Sequence, residues 1–192
     1  MFHLVPSWIA AFAVVAVSGA AMADDIAKRT EGARNAVKSL SGTLGQELAQ
    51  AMEAGGPTKA IEVCNEKAPA IAAEISRKEG WWVARTSLKL RNRANAPDAW
   101  EIAVLEKFEV RKAAGENPAE LEHGEIVNVD GKKQFRYMKA IPTAERPCLT
   151  CHGGQIAPAV TAVLDRRYPG DQARGFKAGD IRGAFTITQP MN

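Results

Sequence analysis

Apolar side chains recur at Ile26, Ala33, Val37, Leu40, Leu44, Leu48 and Met52, in steps of three, four and seven. That spacing puts them on one face of a long helix over 24–54, which Gly55-Gly56-Pro57 should end. A second helix is predicted over 58–78, where Cys64, Ala68, Ile71 and Ile75 repeat at helical spacing and turn Cys64 toward the interior. Pro69 falls inside this pattern. It has no N–H for the Asn65 carbonyl and its ring crowds the preceding turn, so the helix should kink or break just after Cys64.

The period then changes. Trp81 to Arg91 alternates, with a slip at Thr86-Ser87, as in a strand with a bulge or two short strands. Asn95-Ala96-Pro97-Asp98 reads as a helix start, with Pro97 in the first turn and Asp98 and Glu101 near the positive end of the dipole. Trp100, Val104, Leu105 and Phe108 give that helix a core face until Gly115. Two strand-like runs, 126–129 and 134–141, flank Asp130-Gly131, a hairpin signal. A loop over 142–147, a short helix over 157–167 and a last strand over 181–188 complete the chain. Helices followed by interleaved strands predict an α+β domain with an antiparallel sheet.

Among 192 residues, positions 7–20 form an apolar run too short to span a bilayer comfortably, and Ala21-Met22-Ala23 has a small-x-small cleavage pattern. Residues 1–23 read as a cleaved signal peptide, leaving 24–192 as one domain exported to the periplasm. The first residues lack Lys and Arg, so an N-terminal anchor facing the periplasm is the alternative. No later stretch is long and apolar enough to cross a membrane. The net charge of +3 is mild and evenly spread, which argues against nucleic acid as a partner. Three cysteines, Cys64, Cys148 and Cys151, leave an odd one in an oxidising compartment.

Cys148-Leu149-Thr150-Cys151-His152 is a C-x-x-C-H sequence. Its two thiols can add to the two vinyl groups of a haem, and the adjacent imidazole then becomes an iron ligand. One turn of chain reaches both vinyls at this spacing. A redox disulfide lacks the βαβ context it usually has, and zinc would need further ligands, for which His123 and Cys64 are the soft candidates. The chemistry expected is one covalent haem c on Cys148 and Cys151, with His152 on the iron.

Candidates for the opposite axial position are Cys64, Met138, Met191, Met52 and His123. Cys64 is the unpaired cysteine on a buried helix face, although lone buried cysteines are commonly small core residues. Met138 reads equally well as core packing on an alternating strand, and His123 as a solvated residue in a polar loop.

Ala60-Ile61-Glu62-Val63-Cys64, Arg85-Thr86-Ser87-Leu88-Lys89-Leu90-Arg91-Asn92, Asn95-Ala96-Pro97-Asp98-Ala99-Trp100-Glu101, Arg136-Tyr137-Met138-Lys139, the Cys148 motif with Gly153, and Gly179-Asp180-Ile181-Arg182-Gly183-Ala184-Phe185 together resemble one family. It is the exported c-type haem domain with a PAS-like fold, found in cyanobacteria and proteobacteria and catalogued as a domain of unknown function. The resemblance implies a PAS-like antiparallel sheet with a long N-terminal helix, and His152 and Cys64 as the axial pair.

Arg85, Lys89, Arg91 and Arg93 form a basic segment able to pair with haem propionates, with Arg91 the preferred residue; a solvated strand face with Leu88 and Leu90 inward is the bland alternative. Trp81 and Trp82 are candidate walls of a haem pocket, and core packing explains them equally well. Three function classes follow. The first is a redox or gas sensor that signals to another protein and admits a small gas on ferrous iron. The second is a periplasmic electron carrier. The third, a haem enzyme such as a peroxidase, lacks a clear distal acid or base, because Glu62 and Glu66 should lie on the wet side of their helix. A non-enzymatic redox protein is expected.

Overall fold

A computed structural model describes residues 14–191, with side chains from residue 21. The leader reading falls largely on residues 1–13, outside those described. No helix among the described residues is long and apolar enough to cross a membrane.

Helix α1 (Val14–Glu62) follows the predicted stripe. Ala33, Ala36, Val37 and Leu40 are buried, and Leu44, Leu48 and Met52 are half-buried. Gly55 and Gly56 leave helical geometry, Gly56 with φ 68°, a region open to glycine, so the predicted break is there. The helix resumes at once and gives way to a π-turn (Val63–Lys67), in which the Ala68 N–H reaches back five residues to the Val63 carbonyl. Helix α2 (Ala68–Glu79) follows, with Pro69 in its first turn, and Gly80 closes it with φ 71°. The interruption expected from Pro69 is therefore a π-turn that contains Cys64.

Strands β1 (Trp82–Thr86), β2 (Glu122–Val129), β3 (Lys132–Pro142) and β4 (Ile181–Pro190) form one antiparallel sheet in the order β1-β4-β3-β2. Asp130 and Gly131 both take positive φ in the β2–β3 hairpin turn, as their sequence requires. Alternation along β3 splits two cores. Phe135 and Tyr137 join Val83, Ile187, Ile75 and the α1 stripe on one face; Met138 and Ala140 meet α3 (Ala99–Ala113) through Val104, Leu105 and Phe108 on the other. Each large apolar side chain buried this way contributes about 1.5–3 kcal/mol. The α+β class with an antiparallel sheet and long N-terminal helix is the observed architecture.

Three local expectations are corrected. β1 stops at Thr86 and Ser87–Arg91 is irregular: the Ser87 hydroxyl donates to the carbonyls of Arg182 and Lys89, which ends the ladder, and Leu88 is exposed. α3 starts from Asp98, whose carboxylate caps the Glu101 N–H while the Glu101 carboxylate accepts from the Asp98 N–H; Pro97 precedes this capping box. β2 begins at Glu122, so His123 is on a strand. The alternation was hidden by Gly124, whose missing side chain makes room for the Phe135 and Tyr137 rings.

Candidate functional site

Cys148–His152 forms the short helix α4, so the two thiols three residues apart share a face and His152 lies one turn below Cys148. Gly153 closes the turn by donating to the Leu149 carbonyl at 2.9 Å; a Cβ there would lie 2.6 Å from that same oxygen. The turn is tied to the segment before β4 by bonds from Phe176 N–H to the His152 carbonyl, 2.9 Å, and from Gly175 N–H to the Gly153 carbonyl, 3.0 Å.

His152 Nδ1 donates to the Ala173 carbonyl at 2.8 Å, which leaves Nε2 as the ring's lone pair. Arg182 Nε sits 3.1 and 3.4 Å from the two ring nitrogens, too evenly placed to serve either lone pair, and packs against the ring. Phe176 meets the imidazole edge-on. Burial first, then the charges of Arg182 and Arg91, push the imidazole pKa down to about 3. The ring is thus held neutral, in the tautomer suited to metal ligation through Nε2.

Arg91 is a bracket behind the motif. Its Nη2 donates to the Cys151 carbonyl at 2.5 Å and to the Ala173 carbonyl at 3.1 Å, and Nε donates to Asp171 at 3.2 Å. Burial opposes ionisation of Asp171, but hydrogen bonds from Arg91 and Arg174 outweigh it and hold the carboxyl below its ordinary range. Asp171 also accepts from the Ala173 N–H at 2.9 Å, fixing the carbonyl that orients His152.

A cavity of about 420 Å³ opens between the C-terminal half of α1, the π-turn and the end of the sheet. Cys64, Cys148, Cys151 and His152 all line it, together with apolar Leu44, Leu48 and Ile61. Met52 lines it as well. Met138 and Met191 do not: Met138 is buried against α3, and Met191 packs at the α1 face of the sheet. His123 hydrogen-bonds Glu125 at 3.0 Å beside Trp100, away from the cavity. Neither tryptophan lines the cavity, and for Trp81 the core-packing reading holds. Trp81 packs on α1 over Gly32, and Trp82 is 65% exposed, because the strand alternation sends neighbours to opposite sides.

All three cysteines are free thiols. Burial pushes the Cys64 thiol up, opposed by Arg85, Arg91 and Arg182, all of which line the cavity. Burial likewise raises Cys151. Among the described residues no three His, Cys, Asp or Glu side chains converge as a metal-binding cluster. Two thiols, an imidazole whose Nε2 meets only the 3.4 Å contacts of Arg91 and Arg182, and a third thiol around one apolar cavity fit the donor set a c-type haem takes. Asp171, Ala173 and Arg182 are contributors that the sequence did not single out. Arg182 lies within the family-like run Gly179–Phe185, whereas Asp171 has no local signal because its partner Arg91 is 80 residues away.

A four-stranded antiparallel α+β domain with a C-x-x-C-H turn on a mostly apolar cavity defines the class. The chain belongs to the Tll0287-like family, whose model matches residues 15–190. It is similar to the crystal structure of the cyanobacterial heme-protein Tll0287, with 25% identity and a TM-score of 0.65, over 86% of this chain and 96% of that one. None of the curated proteins compared with it matches.

Proposed function

We propose that this protein is a periplasmic c-type haem protein, attached through Cys148 and Cys151 and ligated by His152 and Cys64. The observation that carries the reading is the meeting of Cys64 with the Cys148–His152 turn on one cavity. Haem binding is supported further by membership of the Tll0287-like family and by likeness to the heme-protein Tll0287. The residues fit the group: the cavity is mostly apolar, His152 is neutral with its Nε2 lone pair uncommitted to Ala173, and cationic side chains are present for anionic substituents.

When bound, such a haem supplies one-electron redox chemistry, and a thiolate opposite imidazole favours the ferric state. The protein's own groups do the rest. Ala173 and Phe176 orient His152, Arg91 holds the attachment turn, and the π-turn presents Cys64.

We favour a redox or gas sensor that signals to a protein partner. The supporting observation is that Cys64 sits within a π-turn that follows the Gly55-Gly56 break, so two departures from regular α-helix fall at and before it. An electron carrier is the second reading, supported by the rigid bracketing of His152. Enzymatic turnover is not proposed, since Glu62 is engaged by Lys59 and Glu66 by Arg167 at the surface. The periplasmic part of the reading rests on the apolar run at 7–20 and the Ala21-Met22-Ala23 cleavage pattern.

The test is expression with cytochrome c maturation machinery, followed by absorption and electron paramagnetic resonance spectra of wild type and Cys64→Ala. Covalent haem and a ferric thiolate signature lost in the variant are expected. No covalent haem overturns the reading, and unchanged ferric spectra in the variant overturn thiolate ligation. Carbon monoxide binding by the reduced protein, with loss of the thiolate, favours the sensor; an unaltered ligand pair favours the carrier.

A further inference from the structure

Three arginines line the cavity, and two are committed. Arg91 gives Nε to Asp171 and Nη2 to the Cys151 and Ala173 carbonyls, with Nη1 3.4 Å from His152 Nε2; Arg182 donates to the Ser87 hydroxyl at 3.2 Å and the Lys89 carbonyl at 3.4 Å and packs on His152. Arg85 has no hydrogen bond or ion pair among the described residues. It shares the α1 face of β1 with buried Val83, is itself half-buried, and lines the cavity.

A buried guanidinium without a counter-charge is costly and persists where a ligand supplies the missing anion. The cavity's protein anions do not meet this need. Asp171 is already held by Arg91 and Arg174, and a thiolate at Cys64 would give its lone pair to iron. Haem carries two propionates, on the porphyrin edge opposite the vinyls that add to Cys148 and Cys151. Arg85 stands on β1 and, unlike Arg91 and Arg182, makes no hydrogen bond to the Cys148–His152 turn, so its guanidinium is left for the part of the group away from the attachment. The other basic residues of the segment are engaged elsewhere: Lys89 reaches the Arg174 carbonyl over Phe176, and Arg93 lies at the surface against Gly170.

We propose that Arg85 is the anion receptor of this cavity and pairs with a propionate carboxylate of the haem. This rests on the haem reading above. Arg85 is a positioning residue: a bidentate pair would fix the tilt of the porphyrin between His152 and Cys64.

The test uses ferric holoprotein of wild type, Arg85→Gln and Arg85→Lys, read by resonance Raman. The propionate bending band should shift in Arg85→Gln and return part of the way in Arg85→Lys, while the porphyrin bands that report axial ligation stay. A propionate band identical in all three overturns the inference, and so does movement confined to the ligation bands, which would make Arg85 a partner of the Cys64 sulfur. Should Arg85→Gln fail to fold, the Arg85→Lys band alone decides, since lysine keeps the charge but not the fork. Wild type without covalent haem fails the haem reading itself, a separate outcome.

Discussion

Arg91 and Asp171 form an ion pair at 3.1 Å with side chains only 7% and 1% exposed. Removing one partner of such a pair leaves a buried charge, at about 3–5 kcal/mol. Asp171→Ala should therefore lower the thermal midpoint by roughly 10 °C. Asp171→Asn keeps the oxygen that accepts from Ala173 and should lose less. Calorimetry on the two variants checks the order; equal losses would mean that the bond to Ala173 adds nothing and the charge accounts for the whole loss.

Gly153 has room for a hydrogen and nothing larger, because a Cβ would press on the Leu149 carbonyl that its own N–H bonds. Gly153→Ala should open the attachment turn. The expected outcome is a several-fold lower yield of covalent haem, measured by haem staining against total protein, with little change in far-ultraviolet circular dichroism.

Pro69 cannot donate an N–H to the turn before it, and the π-turn is the local solution. Pro69→Ala restores the donor and lets the segment relax toward regular α-helix, rotating Cys64 relative to the cavity. Helix content should hold or rise while the ferric thiolate signal weakens. Electron paramagnetic resonance of the holoprotein checks this, and an undiminished signal counts against the role given to the turn.

His152 provides a pH prediction for the haem-free form made by replacing Cys148 and Cys151 with Ser. Its imidazole stands at about 3 in the fold, against 6.5 unfolded. Above pH 6.5 the ring is neutral in both states and contributes nothing. Between 6.5 and 3 only the unfolded chain takes the proton, so stability falls as pH drops, by up to about 1.4 kcal/mol per unit. Asp171, depressed in the fold, adds its own loss only as pH falls below the unfolded carboxylate range. Urea midpoints at pH 7.5 and 4.5 should differ less in His152→Asn than in its parent; equal slopes would falsify the assignment.

Much of the fold was legible because its signals are local. The α1 stripe, the Asp130-Gly131 turn and the break near Pro69 each need only neighbouring residues, and the C-x-x-C-H turn is a contiguous word. The errors arose where a distant partner decides. β1 ends because Ser87 answers Arg182, 95 residues away, and β2 starts early because Phe135 and Tyr137 cover Gly124. In the site, Arg91 and Arg85 look alike in sequence. Asp171, across the fold, is what commits one of them to the protein and leaves the other facing the cavity.

The strand order has a consequence for how the molecule comes into being. β4 is made after the other three strands yet lies between β1 and β3, so until residues 181–190 emerge the nascent chain holds a β2–β3 hairpin and an unattached β1. The Cys148–His152 turn leaves the ribosome before that closing strand. The wall that Arg182 and Phe185 of β4 give the cavity is therefore the last part of the site to be made.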